Sequence, residues 1–269
     1  MLLMSIGASA APRVLRVCSD PNNLPFSNQA REGFENRIAE ILARDVQAEL
    51  EYTWWSERKS FIKNSLDEHR CDVLIGIPTA LSSVLTTKPY YRSTYVFVSR
   101  RDRHLDVTSL TDPRLADWRI GIHVVGDDYA PPATALARRG LSANLTGFSL
   151  FGTYGEPNPP AKLIRAVARG EIDVAIAWGP LAGYFAKREP QSLDVVAVSP
   201  AMFMAVPFTY DISVGVRKDD ERLKAEMERA LNRECDAIRR LLADYGVPQI
   251  QEEKPPCDGS RVSHSALLH

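Results

Sequence analysis

The chain has 269 residues, 45% hydrophobic and 25% charged, with 33 basic and 34 acidic side chains and a formal charge of −1. That composition is ordinary for a soluble globular protein with room for one large domain or two smaller ones. It offers no block of like charge for nucleic acid or an anionic membrane surface, and no apolar run near the ~20 residues that span a bilayer. Met1 to Ala11 read MLLMSIGASAA, a short apolar stretch ending in Ala8-Ser9-Ala10. This is the h-region and small-residue cleavage site of a secretory signal peptide, although the basic n-region is missing. Residues 1–12 are therefore expected to be a signal-peptide remnant, and the mature protein to be exported.

In chain order, Leu15 to Ser19 reads as a strand that enters a turn-rich segment, Asp20 to Phe26. From Gly33 the apolar positions Phe34, Ile38, Ile41, Leu42 and Val46 recur at helical spacing. Leu50 to Trp54 is a second strand. Ser56 is placed to cap a helix with Phe61, Ile62 and Leu66 on its apolar face, and Cys71 to Ile77 is a strand ending at Pro78. The order βαβαβ predicts a parallel sheet with helices on both faces.

The pattern repeats. Trp118 to Val124 is a strand, followed by a turn at Gly126 to Tyr129 and a helix through Ala133 to Arg139. Leu145 to Phe151 is a strand, Pro160 to Arg169 a helix, and Ile172 to Ala177 a strand that stops at Trp178-Gly179-Pro180. Two further apolar strands, Tyr95 to Val98 and Ile212 to Val216, read as crossovers, and one long amphipathic helix covers Glu221 to Tyr245. The predicted fold is α/β: two doubly wound α/β lobes joined by two hinge crossovers. Lobe one takes residues 13–99 and 209–257, lobe two takes 104–204, and 258–269 are expected to form a disordered tail.

The four cysteines, Cys18, Cys71, Cys235 and Cys257, form no C-x-x-C pair and have no histidine cluster near them, which argues against zinc. They allow three disulfide connectivities or four buried thiols. Export favours disulfides, and Cys18–Cys71 with Cys235–Cys257 is the preferred set because each pair falls within one local unit. Cys18 and Cys71 would sit on neighbouring strands of a sheet ordered 2-1-3.

In an open parallel sheet, ligands bind beyond the carboxyl ends of the strands, which in a two-lobed chain is the interlobe cleft. The strand-end residues are Asp20, Asn22, Asn23, Pro25 and Phe26, then Pro78 and Thr79, then Tyr90 and Tyr91. The second lobe adds Asp127, Asp128, Tyr129, Tyr154, Trp178 and Gly179. This set is aromatic and neutral-polar with three carboxylates, and suits an uncharged or cationic group better than an anion. Blander roles compete for several members. Asp127 and Asp128 would serve as helix N-caps before Pro131-Pro132, and the Asn22-Asn23 pair as turn residues. No G-x-S-x-G, P-loop, G-x-G-x-x-G or H-E-x-x-H is present, and the five histidines are scattered, so no catalytic residues, cofactor or metal site are assigned.

Several motifs together resemble a known family. They are D-P-N-N-x-P-F-S at Asp20–Ser27, C-D-V-x-x-G-x-P at Cys71–Pro78, and L-T-T-K-P-Y-Y-R-S-T-Y-V-F at Leu85–Phe97. G-D-D-Y-A at Gly126–Ala130, Y-G-x-P-N-P-P at Tyr154–Pro160 and the run Asp173–Ala186 complete the set. With them the chain resembles the J-proteins of MxaJ and XoxJ type, from Leu15 to about Cys257, within the type II periplasmic solute-binding proteins. The resemblance implies a non-catalytic periplasmic accessory protein that binds a PQQ-dependent methanol or alcohol dehydrogenase and helps its maturation or activation. Phe26, Tyr90, Tyr91, Tyr129 and Trp178 are the expected aromatic contacts. A receptor that delivers a small-molecule ligand to a transporter or enzyme is the alternative. The amino-acid-binding relatives carry an arginine before their F-S-x-P-Y-Y segment that forks the ligand carboxylate. Here no arginine lies between Ala80 and Lys88, and a lysine does not reproduce that planar fork.

Overall fold

A computed structural model of the chain describes residues 12–57, 60–79, 81–125, 128–151 and 156–250. The expected signal segment and the expected tail lie outside the described residues. The first half contains β1 (Val14–Ser19), α1 (Phe34–Asp45), β2 (Glu49–Trp54), β3 (Val73–Pro78) and β4 (Tyr91–Arg100). Then come β5 (Ile120–Val125), α2 (Pro131–Arg138), β6 (Leu145–Ser149), α3 (Ala161–Ala168), β7 (Val174–Trp178), α4 (Gly179–Ala186) and β8 (Leu193–Ala197). The chain closes with β9 (Thr209–Val216), α5 (Glu221–Arg233) and α6 (Cys235–Asp244).

The central path of the sheet runs β6-β5-β7-β4-β9-β3-β1-β2. Both ends have the order 2-1-3 with parallel pairing: β2-β1-β3 at one end and β6-β5-β7 at the other. Two long antiparallel strands join them. β4 pairs with β9 over Tyr91 to Thr94, then with β7 over Tyr95 to Ser99. β9 pairs with β4 over Thr209 to Ile212 and continues against β3 to Val216. β4 therefore belongs to both lobes, and among the described residues the sheet is continuous between them through this strand, with β9 beside it pairing with β4 and with first-lobe strands.

Side-chain alternation along the strands fills four clusters. Ile38, Leu42, Val73, Ile75, Val214, Met227 and Ile238 pack one face of the first lobe, while Cys18, Leu66, Cys71, Leu74 and Val84 pack the other. In the second lobe, Ala175 and Ala177 of β7 turn toward α3 and α4, and Val174 and Ile176 turn toward α2. The Cys18–Cys71 disulfide forms as expected, staking β1 to the segment that leads into β3. Cys235 is also disulfide-bonded, and its expected partner Cys257 lies outside the described residues.

Several elements differ from the sequence-based expectation. The second helix begins at Phe61 rather than after Ser56, and the Glu57 N–H donates to the Asp20 carboxylate at 2.7 Å. The helical segment that follows includes a wide π turn at Lys63–Asp67. The cap of α2 is Ala130, not an aspartate, because Asp128 and Tyr129 pair back onto Val124 and Val125 as a short strand. The long C-terminal helix is two helices that share one buried stripe (Met227, Leu231, Ile238, Leu242). Glu234, at φ −94° and ψ 8°, departs from helical backbone between them, although its N–H and carbonyl still bond to Ala230 and Ile238. β8, an edge strand on β4, was not anticipated.

Cys18 and Cys71 are 53 residues apart, and closing a loop of that length removes about 4 kcal/mol of chain entropy from the unfolded state. The double substitution Cys18→Ala, Cys71→Ala should lower the melting temperature by roughly 10 °C, read by circular dichroism. An unchanged melting temperature would mean that packing of Leu66, Leu74 and Val84 holds this face without the covalent link.

Candidate functional site

The cleft is a cavity of about 430 Å³ at the carboxyl ends of the parallel strands. Its floor is the hinge ribbon, which contributes Tyr95 from β4 and Tyr210 and Ile212 from β9. The first lobe supplies Asn23, Phe26, Glu35, Glu57, Gly76 and Pro78. The second supplies His123, Ala130, Pro131, Leu150, Trp178 and Leu181. Three rings form a cluster: Tyr95 to Trp178 at 5.5 Å between centroids, Trp178 to Tyr210 at 5.8 Å, and Tyr95 to Tyr210 at 6.5 Å. All three pairs are edge-to-face, the arrangement that ring quadrupoles favour.

The first-lobe wall is built around the start of α1. Pro25 and Phe26 offer their carbonyls to the Phe34 and Glu35 amides at 2.8 and 2.9 Å, satisfying donors that a helix N-terminus leaves open. Gly33 permits this approach, since a Cβ there would overlap the Phe26 carbonyl. Gly76, at φ +82°, plays the matching role on β3: a Cβ would overlap the Glu35 carboxylate, so its absence lets that carboxylate lie over the strand. Asp20 is buried, and its two carboxylate oxygens accept the Asn22 and Glu57 amides at 2.7 Å each. Asn23 donates to Glu57 Oε2 at 2.9 Å.

Burial, reinforced by the Glu57 charge, holds the Glu35 carboxyl well above its ordinary range. Glu57 is pushed up to about 7, first by burial and then by Asp20, with the Asn23 hydrogen bond pulling the other way. His123 is buried and lowered to about 4, so it is neutral, and its Nε2–H donates to the Pro160 carbonyl at 3.1 Å. Among the described residues, no lysine or arginine lines the cavity. Arg92, the nearest arginine to the tyrosine pair in sequence, grips Asp211 bidentately at 2.6 Å across the hinge ribbon.

Four of the sequence-predicted residues line the cavity: Asn23, Phe26, Pro78 and Trp178. Asp20 sits behind the wall as a scaffold. Asn22 stands at the rim and spans the lobes, its Nδ2 donating to the Glu156 carbonyl at 2.8 Å while its Oδ1 accepts from the Asn158 amide at 3.4 Å. Tyr90 and Tyr91 belong instead to the first-lobe core, 8% and 3% exposed, because β4 faces α1 and α5 there. Thr79 bonds Ser213 across β3 and β9 at 2.6 Å, and Gly179 is pressed against the Thr94 carbonyl. Asp127, Tyr154 and the side chains of Asp128 and Tyr129 lie outside the described residues.

Sequence reasoning missed Glu35, Glu57, Tyr95, His123 and Tyr210. A signal existed for Glu35, which shares a helical face with Ile38 and Leu42 and so lies inside the apolar stripe of α1. Among the described residues, no group of three or more His, Cys, Asp or Glu is placed to hold a metal ion, and no helix is long and apolar enough to cross a membrane.

No family model matches the chain. It is 32% identical over 247 residues to protein MoxJ of Methylorubrum extorquens, covering 87% of this chain and 81% of that one. The crystal structure of the periplasmic binding protein XoxJ from Methylobacterium extorquens AM1 superposes with a TM-score of 0.73 at 35% identity, covering 89% of this chain and all of that one. The crystal structure of MxaJ from Methlophaga aminisulfidivorans superposes with a TM-score of 0.78 at 28% identity, covering 88% of this chain and all of that one.

The buried titrating groups act on stability with opposite signs. His123 falls from 6.5 to about 4 on folding, so its contribution is complete above pH 6.5 and is lost as pH falls through 4, worth about 3 kcal/mol. Glu57 rises from 4.5 to about 7, so its contribution is complete below pH 4.5 and is lost as pH rises through 7. That residue keeps some contact with water, which reduces its share to about 2 kcal/mol. In urea titrations, the stability advantage of wild type over His123→Gln should grow between pH 4 and 6.5. The advantage over Glu57→Gln should shrink between pH 4.5 and 7. A pH-independent gap in both variants would show that neither group changes protonation on folding.

Proposed function

The chain belongs to the J-protein family of MoxJ, MxaJ and XoxJ, built on the type II periplasmic solute-binding fold, and on that premise we propose that it is a non-catalytic periplasmic accessory protein. Its partner is a PQQ-dependent methanol or alcohol dehydrogenase, which it binds and helps to activate or mature. The likeness to MoxJ and XoxJ along nearly the whole chain carries this reading. Periplasmic location is supported by the family and by the Cys18–Cys71 disulfide, a bond that persists in an oxidising compartment. The lobes in this reading comprise 13–99 with 209–257, and 104–204; the change of partners along β4, from β9 to β7 between Thr94 and Tyr95, supports a boundary within that strand.

The cleft supplies the means. Its aromatic wall and lack of an arginine fork suit a protein segment inserted through side chains, with Phe26, Tyr95, Trp178 and Tyr210 as rigid anchors. To act, the accessory protein must bind the active and inactive conformations of the enzyme with different affinity, because equal binding shifts no equilibrium. A receptor for a small molecule is the second reading, and the cavity volume favours it specifically, since about 430 Å³ lies within the usual range for such ligands.

The deciding measurement is dye-linked alcohol oxidation by the cognate dehydrogenase during titration with this protein, with light scattering on the same mixtures. Saturable activation and a complex are expected. Trp178→Ala should raise the half-saturating concentration by roughly 30-fold, as loss of a buried aromatic anchor costs about 2 kcal/mol. Absence of both activation and complex, with apo and holo dehydrogenase alike, would overturn the partner reading.

A further inference from the structure

We infer that the cleft holds an organic ammonium group, its charge met by Glu35 and Glu57 and its carbon substituents packed by Phe26, Tyr95, Trp178 and Tyr210. The inference names the chemistry of what the cleft holds, and rests on the partner reading only for where that group comes from.

Glu35 carries the argument. It is 5% exposed, it lines the cavity, and its carboxylate has no hydrogen-bond or ion-pair partner among the described residues. Glu57 reaches the same space with one oxygen bonded to Asn23. Buried carboxylates are ordinarily paired with a cation or with several donors, because an unpaired one costs several kcal/mol. Among the described residues the wall supplies no cation: no lysine or arginine lines it, and His123 is neutral and committed to Pro160. Gly76 keeps the space over Glu35 clear of side chain.

The other lining groups define which cation fits. A hydrated metal ion would need more oxygen ligands than two carboxylates and an amide provide, and would face aromatic rings. A carbon-bearing monocation uses both features, since rings stabilise ammonium groups within about 6 Å of their faces. A zwitterionic amino acid would also need a carboxylate anchor. Among the described residues no cationic side chain lines the cavity, and Arg92 is tied to Asp211. The class is therefore an alkylammonium without a carboxylate, either a free amine or a lysine side chain of a bound protein.

Binding is linked to protons, since the ammonium group favours the ionised carboxylates. Asp20 faces Glu57 from the end of β1, and Lys63 and Asp67 line the hollow behind it. Tyr90 and Tyr91 flank Glu35, and His123 stands across the cleft. With Glu57 ionising at about 7, a cation of fixed charge should bind about ten-fold more tightly at pH 8 than at pH 6.

The test titrates the mature protein with tetramethylammonium and n-butylammonium chloride, following tryptophan fluorescence and calorimetry, with 1-butanol and sodium chloride as controls. Saturable binding of both ammonium ions, at least ten-fold weaker binding of 1-butanol, and the stated pH dependence are expected. Glu35→Gln and Glu57→Gln should each weaken ammonium binding ten-fold or more, with melting temperature checked to confirm folding. Equal affinity for butanol and butylammonium, no ammonium binding in the wild-type protein, or unchanged affinity in folded Gln variants would overturn the proposal. The source is read in the dehydrogenase titration. Competition by butylammonium and loss of binding on lysine acetylation identify a partner lysine; complex formation indifferent to both identifies a free amine. A complex without ammonium binding sinks this inference alone, and ammonium binding without a complex sinks the partner reading alone.

Discussion

The pairing of β4 with β9 is the constraint on which the rest of the molecule depends. β4 is shared between the two halves of the sheet, pairing with β9 through Tyr91 to Thr94 and with β7 from Tyr95 onward, and so joins otherwise separate α/β units. The bidentate Arg92–Asp211 pair sits within this stretch and fixes its register. Because the ribbon is narrow and crosses only once in each direction, it permits rotation about its length while resisting translation. Asn22, reaching across the rim to Glu156 and Asn158, adds a contact between the lobes that such a rotation would make or break.

The same ribbon determines the character of the cleft. Tyr95 sits just where β4 changes partners, and its ring meets Tyr210 of β9 and Trp178 at the end of β7 beside the space between the lobes. Opposite this apolar surface, the first lobe presents carboxylates that its backbone has been shaped to admit. Gly33 lets the Phe26 loop close on the α1 N-terminus, and Gly76 lets Glu35 lie against β3. Asp20 draws the Glu57 amide inward and thereby sets the path of the chain after β2. The result is a low-dielectric chamber with acidic groups on one side and rings on the other. In it the carboxyls of Glu35 and Glu57 are raised together and His123 is depressed.

The sequence alone determined the α/β class, the doubled βαβαβ order, the 2-1-3 neighbourhood that brings Cys18 to Cys71, and the strand-end positions of Asn23, Phe26, Pro78 and Trp178. These are legible because periodicity reports how each element meets its own sheet, and because the ends of parallel strands are fixed once their order is known. That no arginine lies between Ala80 and Lys88 was equally plain. The stripe along the C-terminal helices was read correctly, but not their interruption at Glu234, since the apolar spacing continues through it.

Only the tertiary structure decided which side chains converge. Tyr91 and Tyr95 have the same parity on β4, yet one is core and the other lines the cleft, because the strand changes partners between them. Glu35 and Glu57 come from a helix start and a post-strand loop and meet through Asp20, Asn23 and Gly76, a juxtaposition that no local spacing encodes. His123 reads as an isolated strand residue until β5 carries it to the Pro160 carbonyl ahead of α3. Periodicity is a property of one element, whereas a binding site is a property of where several elements end; the sequence therefore specified the walls, and the crossing of two strands specified what faces across them.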